Sequence, residues 1–150
     1  MTRKLKKILI AVDETPSSVT AIEQGLALAS EEDAQVVFVH VVSIVGEQFV
    51  PGNGKPEQVA DRARTPVLVD AALAAEAVGV PCTAEVLVGH APKQIAFLAD
   101  ELDVDLVVVG SRHLSGIKRF LLGSTSRALI GETNRPLLVV PETVLDPAMT

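Results

Sequence analysis

The sequence predicts an α/β fold: an open, doubly wound, five-stranded parallel sheet in the order 3-2-1-4-5, with helices on both faces. Three observations lead there. Short, nearly unbroken apolar runs recur at 7–12, 35–42 and 105–109, the pattern of strands buried on both faces. Between them lie segments whose apolar residues repeat at helical spacing, two of them opened by a residue followed by proline, Thr15-Pro16 and Ala91-Pro92. The run 82–88 instead alternates, with Thr83 and Glu85 on one side and Ala84, Val86 and Val88 on the other, which marks a half-exposed edge strand. Right-handed crossovers then place the alternating strand at the edge and strands one and four side by side in the centre.

Taken in order, 7–12 is the first strand, with Asp13 at its C-terminal end. Thr15 is the expected N-cap of a first helix with Pro16 at its first position, burying Val19, Ile22, Leu26 and Ala29 and closing near 30–33. The second strand spans 35–42. Residues 43–60 carry Gly46, Pro51, Gly52, Asn53, Gly54 and Pro56, a long connection expected to act as a lid. The second helix is complicated by Pro66. A short turn followed by a main helix to about Val78, with Val69, Leu73 and Ala77 inward, is preferred here to a longer helix kinked at that proline. The third helix opens at Ala91-Pro92 and buries Ile95, Leu98, Ala99 and Leu102. Strand four spans 105–109 and strand five 137–140, the latter bounded by Pro136 and Pro141.

The stretch 107–125, VVVGSRHLSGIKRFLLGST, organises the chain. A buried strand ends at Gly110, a loop bearing Arg112, Lys118 and Arg119 follows, and Gly123, Ser124 and Thr125 lead into the last helix. Ser124 or Thr125 is the expected N-cap. Such a succession presents backbone N–H groups and a helix dipole to a phosphate. Strands one and four are neighbours whose connections leave on opposite faces, so Asp13 and Gly110 face each other across the crevice where open α/β sheets bind ligands. Asp13 suits a ribose hydroxyl, or else ties off its own loop. Val41 suits a base edge, or else is a plain core valine.

Composition excludes several classes. The chain has 150 residues, expected to form a single domain over 1–150, and its core is built from Val, Leu, Ile and Ala because aromatics are only 3%. A net charge of −6 argues against nucleic acid as a partner. The basic residues cluster locally instead, with Arg112, Lys118, Arg119, Arg127 and Arg135 against Glu132 alone, which suits a small anion. Cys82 is the only cysteine, so no disulfide or thiolate site is expected, and His40, His90 and His113 lack the spacing of metal ligands. No run approaches membrane-spanning length, and the basic start 3–7 lacks an h-region behind it. The protein is therefore expected in the cytoplasm, with no membrane partner. There is no Walker motif, no nucleophile elbow and no acidic pair of a phospho-acceptor domain.

The segments KKILIAVDETPSS, VHVV, GHAPKQIAFLA, GSRHLSGIKRFLLGSTS and RPLLVVP together resemble the universal stress protein family over essentially the whole chain. Members that bind ATP carry a glycine, two residues, a second glycine, nine residues, and a third glycine followed by Ser or Thr. Gly110, Gly123 and Ser124 fall at that spacing, and His113 stands in the second glycine's place. The resemblance implies a stress-response regulator binding ATP or AMP, with Mg as an accompanying ion. The implied binding residues are Ala11, Asp13, Val41, Val109, Gly110, Arg112, His113, Gly123, Ser124 and Thr125. A blocking His113 would leave the site without nucleotide.

Strand five is apolar on both faces at an edge, an association hazard that a two-fold partner would relieve, so a homodimer through Leu137, Leu138, Val139 and Val140 is expected. No residue of the loop is a credible general base, so catalysis is expected to be slow or absent. The alternatives are a weak ATPase or autokinase using Ser124 or Thr125, and a nucleotide-free dimeric module that binds client proteins, none of which the sequence identifies.

Overall fold

The computed structural model describes residues 4–42, 56–111 and 123–142. Among them the elements run β1 (Lys7–Ala11), α1 (Pro16–Glu32), β2 (Gln35–Val42), α2 (Pro56–Ala77), β3 (Cys82–Val88), α3 (Ala91–Glu101), β4 (Leu106–Gly110), α4 (Ser124–Glu132) and β5 (Leu137–Val140). The sheet order is β3-β2-β1-β4-β5 and every pairing is parallel, as the sequence predicts.

The apolar runs follow from a sheet covered on both sides. Successive strand side chains point to opposite faces. Ile8, Ile10, Val36, Phe38 and Val108 pack beneath α1 and α2, whereas Leu9, Val37, Val39, Val107 and Val109 pack beneath α3 and α4. Both positions of each central strand are therefore core. At the β3 edge Thr83 and Glu85 are exposed, which explains the alternation there. At the β5 edge Leu137, Leu138 and Val139 are half-buried and only Val140 is fully covered.

Helix α1 begins after Thr15, which is extended, with Pro16 in the first turn, and ends at Asp33 in the left-handed region, whose N–H returns to the Ala29 carbonyl. Ile22, Leu26 and Ala29 are buried as expected, but Val19 is 58% exposed. The buried stripe runs through Ser18, Ala21 and Gly25, about one residue round the helix from Val19. Gly25 allows this close seat: a Cβ there would run into Ile10 Cδ1 on β1.

Helix α2 departs further from expectation. It is continuous from Pro56 to Ala77 with Pro66 inside it, so neither a long connection through residue 60 nor a separate first turn is present. Pro66 lies on the exposed side, where its ring does not disturb packing on the sheet. The expected inward stripe is also reversed. Leu68, Ala71 and Ala75 are buried, whereas Val69 and Leu73 are 48% and 57% exposed and Ala77 is exposed with them. Both stripes have helical spacing. The sheet beneath supplies the bulk of Phe38 and Val36, and the small residues of α2 fit over it.

At the N-terminal end of the sheet, the buried Asp105 clamps the start of β1. Its Oδ2 accepts the N–H groups of Lys6 and Lys7 at 2.8 and 3.1 Å. Arg135 sits at the same end, donating to Asp103 at 2.5 Å and Asp100 at 3.1 Å, and these carboxylates hold its pKa above the ordinary arginine value. It therefore does not join a basic patch around the loop, as its sequence neighbourhood implied. Being placed before β5, it falls at the opposite edge of the sheet. No helix among the described residues is long and apolar enough to cross a membrane.

Candidate functional site

At the C-terminal edge of the sheet, α1 leaves β1 on one face and α4 follows β4 on the other. The crevice between them is lined by Ala11, Asp13, Val41, Val109, Gly110 and Thr125, six of the residues expected from sequence. Val12, Ser18, Val39, Ala91 and Ile95 complete it, and the described residues enclose about 60 Å³. That volume forms a floor. The chain passes outside the described residues after Val42 and after Ser111, and Arg112, His113, Lys118 and Arg119 all lie there, as does 43–55 of the connection expected to be a lid.

Asp13 is half-buried and anchored. Its N–H donates to Ser18 Oγ at 2.9 Å, and its Oδ1 accepts the N–H of Thr15 at 2.8 Å together with the Thr15 hydroxyl. The loop-tying role weighed in sequence is thus real, and it fixes a carboxylate on the crevice wall. Behind it, His40 Nδ1 donates to the Val12 carbonyl at 2.8 Å, since a carbonyl can only accept; this pins the end of β1.

Gly110 has a different reason from the one its position suggests. A Cβ on it would lie 2.6 Å from Ser17 Oγ and 2.7 Å from the Ser17 carbonyl carbon. The first turn of α1 rests directly on β4 at this point, so the glycine is required by the protein's own backbone. Beyond it, Ser126 Oγ donates to the Gly110 carbonyl at 2.9 Å and drives the first turn of α4 against the end of β4. The Gly123 N–H donates to the Ser111 carbonyl at 2.7 Å, and the Ser111 N–H to the Val140 carbonyl at 2.8 Å. Ser111 and Gly123 are therefore held together at the end of the sheet. The Ser111 hydroxyl is wholly buried, with no hydrogen-bond partner among the described residues.

The N-cap of α4 is Gly123 rather than Ser124 or Thr125. Its φ and ψ of −66° and 166° are extended backbone open to any residue, so no left-handed conformation is used. Gly123 has no side chain with which to cap this helix, so the N-cap residue itself leaves the first-turn N–H groups beside Thr125 open to another acceptor. An anion is the natural partner for such donors.

Sequence reasoning missed Ser18, Ser126 and the apolar wall of Val39, Ala91 and Ile95. Hydroxyls in the first turn of a helix after a strand were a usable signal for the serines. The wall joins Val39 of β2 to Ala91 and Ile95 of α3, a contact between elements that leaves no local trace. Among the described residues no three His, Cys, Asp or Glu gather as metal ligands.

An open α/β sheet with a crevice at its topological switch point, floored by apolar strand ends and bordered by the N-terminus of α4, is the arrangement in which folds of this class take up small ligands. The universal stress protein family matches residues 4–141, and the chain belongs to that family. It is 31% identical to universal stress protein YxiE of Bacillus subtilis over 89% of this chain and 97% of that one. It is 30% identical to universal stress protein MJ0531 of Methanocaldococcus jannaschii, over 90% and 81% respectively. Among solved structures, MJ0577 of Methanocaldococcus jannaschii superimposes with a TM-score of 0.81 at 24% identity, covering 95% of this chain and 100% of that one. A universal stress protein in complex with cAMP gives 0.73 at 22% identity, covering 94% and 100%. One from Archaeoglobus fulgidus in complex with dAMP gives 0.68 at 22%, covering 92% and 99%.

Proposed function

We propose that this chain is a cytoplasmic stress-response regulator of one domain that binds an adenine nucleotide, ATP or AMP, in the crevice between β1 and β4. The observation that carries the reading is the convergence on one crevice of an anchored carboxylate, an apolar wall and a helix N-terminus whose cap residue is glycine. Each suits one part of a nucleotide. Val39, Val41 and Ile95 offer a surface for a base, Asp13 an acceptor for ribose hydroxyls, and the first turn of α4 donors for phosphate. Two structural neighbours, in complex with cAMP and with dAMP, lend support, since both ligands are adenine monophosphates. Arg112 and His113 belong to the same proposal, with Mg as a companion of bound ATP. No catalytic residue is assigned.

Titration calorimetry with ATP and AMP tests the reading. Heat saturating at one nucleotide per chain supports it, and its absence for both replaces it with the nucleotide-free interaction module. Because histidine stands where ATP-binding relatives have glycine, His113→Gly is expected to tighten binding about tenfold, equivalent to about 1.4 kcal/mol. Equal or weaker binding by that variant would make the imidazole a tolerated neighbour or a ligand.

The homodimer through β5 belongs to the same proposal. Leu137, Leu138 and Val139 stay half-exposed at a sheet edge, where a partner strand would cover them. Val139→Lys is expected to give monomers in sedimentation velocity. An unchanged dimer would place the interface elsewhere.

A further inference from the structure

Helices α1 and α2 leave between them an apolar groove of about 610 Å³ on the sheet face remote from α4. Its lining includes Leu26 and Ala27 of α1 with Ala74 and Ala77 at the end of α2 and Val78 just beyond it. Val19 lies on the same side of α1 as Leu26, at helical spacing, and carries the apolar surface two turns further. Val19 and Val78 are 58% and 53% exposed. These are large apolar side chains left in water beside a groove, with no neighbour among the described residues covering them.

The charged residues that line the groove have one sign. Glu23 and Glu31 stand on its α1 side, and Glu76 lies on α2 near its end. The segment 16–32 contains no Lys, Arg or His at all. Among the described residues that line the groove there is no Lys, Arg or His. An apolar floor alone would accept any apolar partner. An acidic rim admits cationic ones and repels acidic ones. It disfavours a second copy of this same face. It equally disfavours residues 143–150, which carry Asp146 and no basic residue.

We infer that the α1/α2 groove docks a basic amphipathic helix of a partner protein, its apolar stripe on the groove floor and its Lys and Arg residues along the Glu23 and Glu31 rim. From Val19 to Ser30 the surface runs about 16 Å, so some three turns of partner helix would be engaged. The surface lies on the opposite face of the sheet from α3 and α4, so its occupation does not depend on the nucleotide reading.

The test uses a fluorescein-labelled amphipathic peptide of about 18 residues, five turns, built from Leu and Lys. Its counterpart has Glu in place of Lys. Fluorescence anisotropy should show binding of the Lys peptide alone, weakened as salt is raised. The double variant Glu23→Lys/Glu31→Lys should weaken binding at least tenfold more than Glu101→Lys/Glu132→Lys, which changes net charge equally on α3 and α4. Val19→Ser/Val78→Ser should weaken it about tenfold with thermal unfolding unchanged. Equal losses from the two charge variants would reduce the effect to bulk attraction and overturn the inference. Binding indifferent to the valine pair would do the same.

Discussion

Gly110→Ala is expected to lower the unfolding free energy by about 3 kcal/mol, at the upper end of ordinary overpacking. For a chain of this size that moves the thermal midpoint down by roughly 6–12 °C. The new methyl would sit 2.6–2.8 Å from Ser17, two of the three nearest atoms being backbone. Backbone cannot swing aside as a flexible side chain does, so either β4 or the first turn of α1 must shift. That shift would reach the crevice, because Ser18 accepts the Asp13 N–H one residue further on. Urea unfolding of the variant, with nucleotide absent, reads the effect directly. A Gly110→Ala protein as stable as the parent but impaired in nucleotide binding would mean that the glycine serves the ligand and not the packing.

The second large effect is on binding and not on stability. Gly123→Val is expected to abolish nucleotide binding, a loss of at least a hundredfold or about 2.7 kcal/mol. The fold should survive, because the backbone at Gly123 already has the extended angles that valine favours. What changes is the approach to the first turn of α4, where a branched side chain would stand before the N–H donors. Ser124→Ala offers the contrast. Ser124 is the first helical residue and caps nothing, so stability should stay within about 0.5 kcal/mol. Binding should fall by about 1 kcal/mol, roughly fivefold, if its hydroxyl meets phosphate. Calorimetry on folded samples of both variants separates these outcomes. Wild-type affinity in both would remove α4 from the site.

How well each feature could be read depended on whether its cause was local. Strand types were legible because burial on both faces, or on one, is written in consecutive residues such as 8–10 or 82–88. The position of Asp13 opposite Gly110 was legible too, because right-handed crossovers leave few strand orders. Helix faces were not. In α2 the pairs Leu68/Ala75 and Val69/Leu73 have equal claims to the interior by spacing, and only the bulk of Phe38 below decides between them. Arg135 looked like part of a basic loop because it follows that loop closely in sequence. One helix carries it to the far edge of the sheet, against Asp100 and Asp103.

By itself the sequence determined the five strands, their parallel order, the crevice at the switch point and the motif that marks the family, since apolar periodicity and short turn signals are properties of neighbouring residues. Only the tertiary structure decided why Gly110 is glycine, which residue caps α4, which way α2 faces and that α1 and α2 leave an acid-rimmed groove. Each of those depends on an atom brought from elsewhere in the chain: Ser17 against Gly110, Ser111 against Gly123, Phe38 beneath Leu68 and Ala71, Val78 across from Leu26. Such contacts are set by packing between elements, and packing has no period along the sequence.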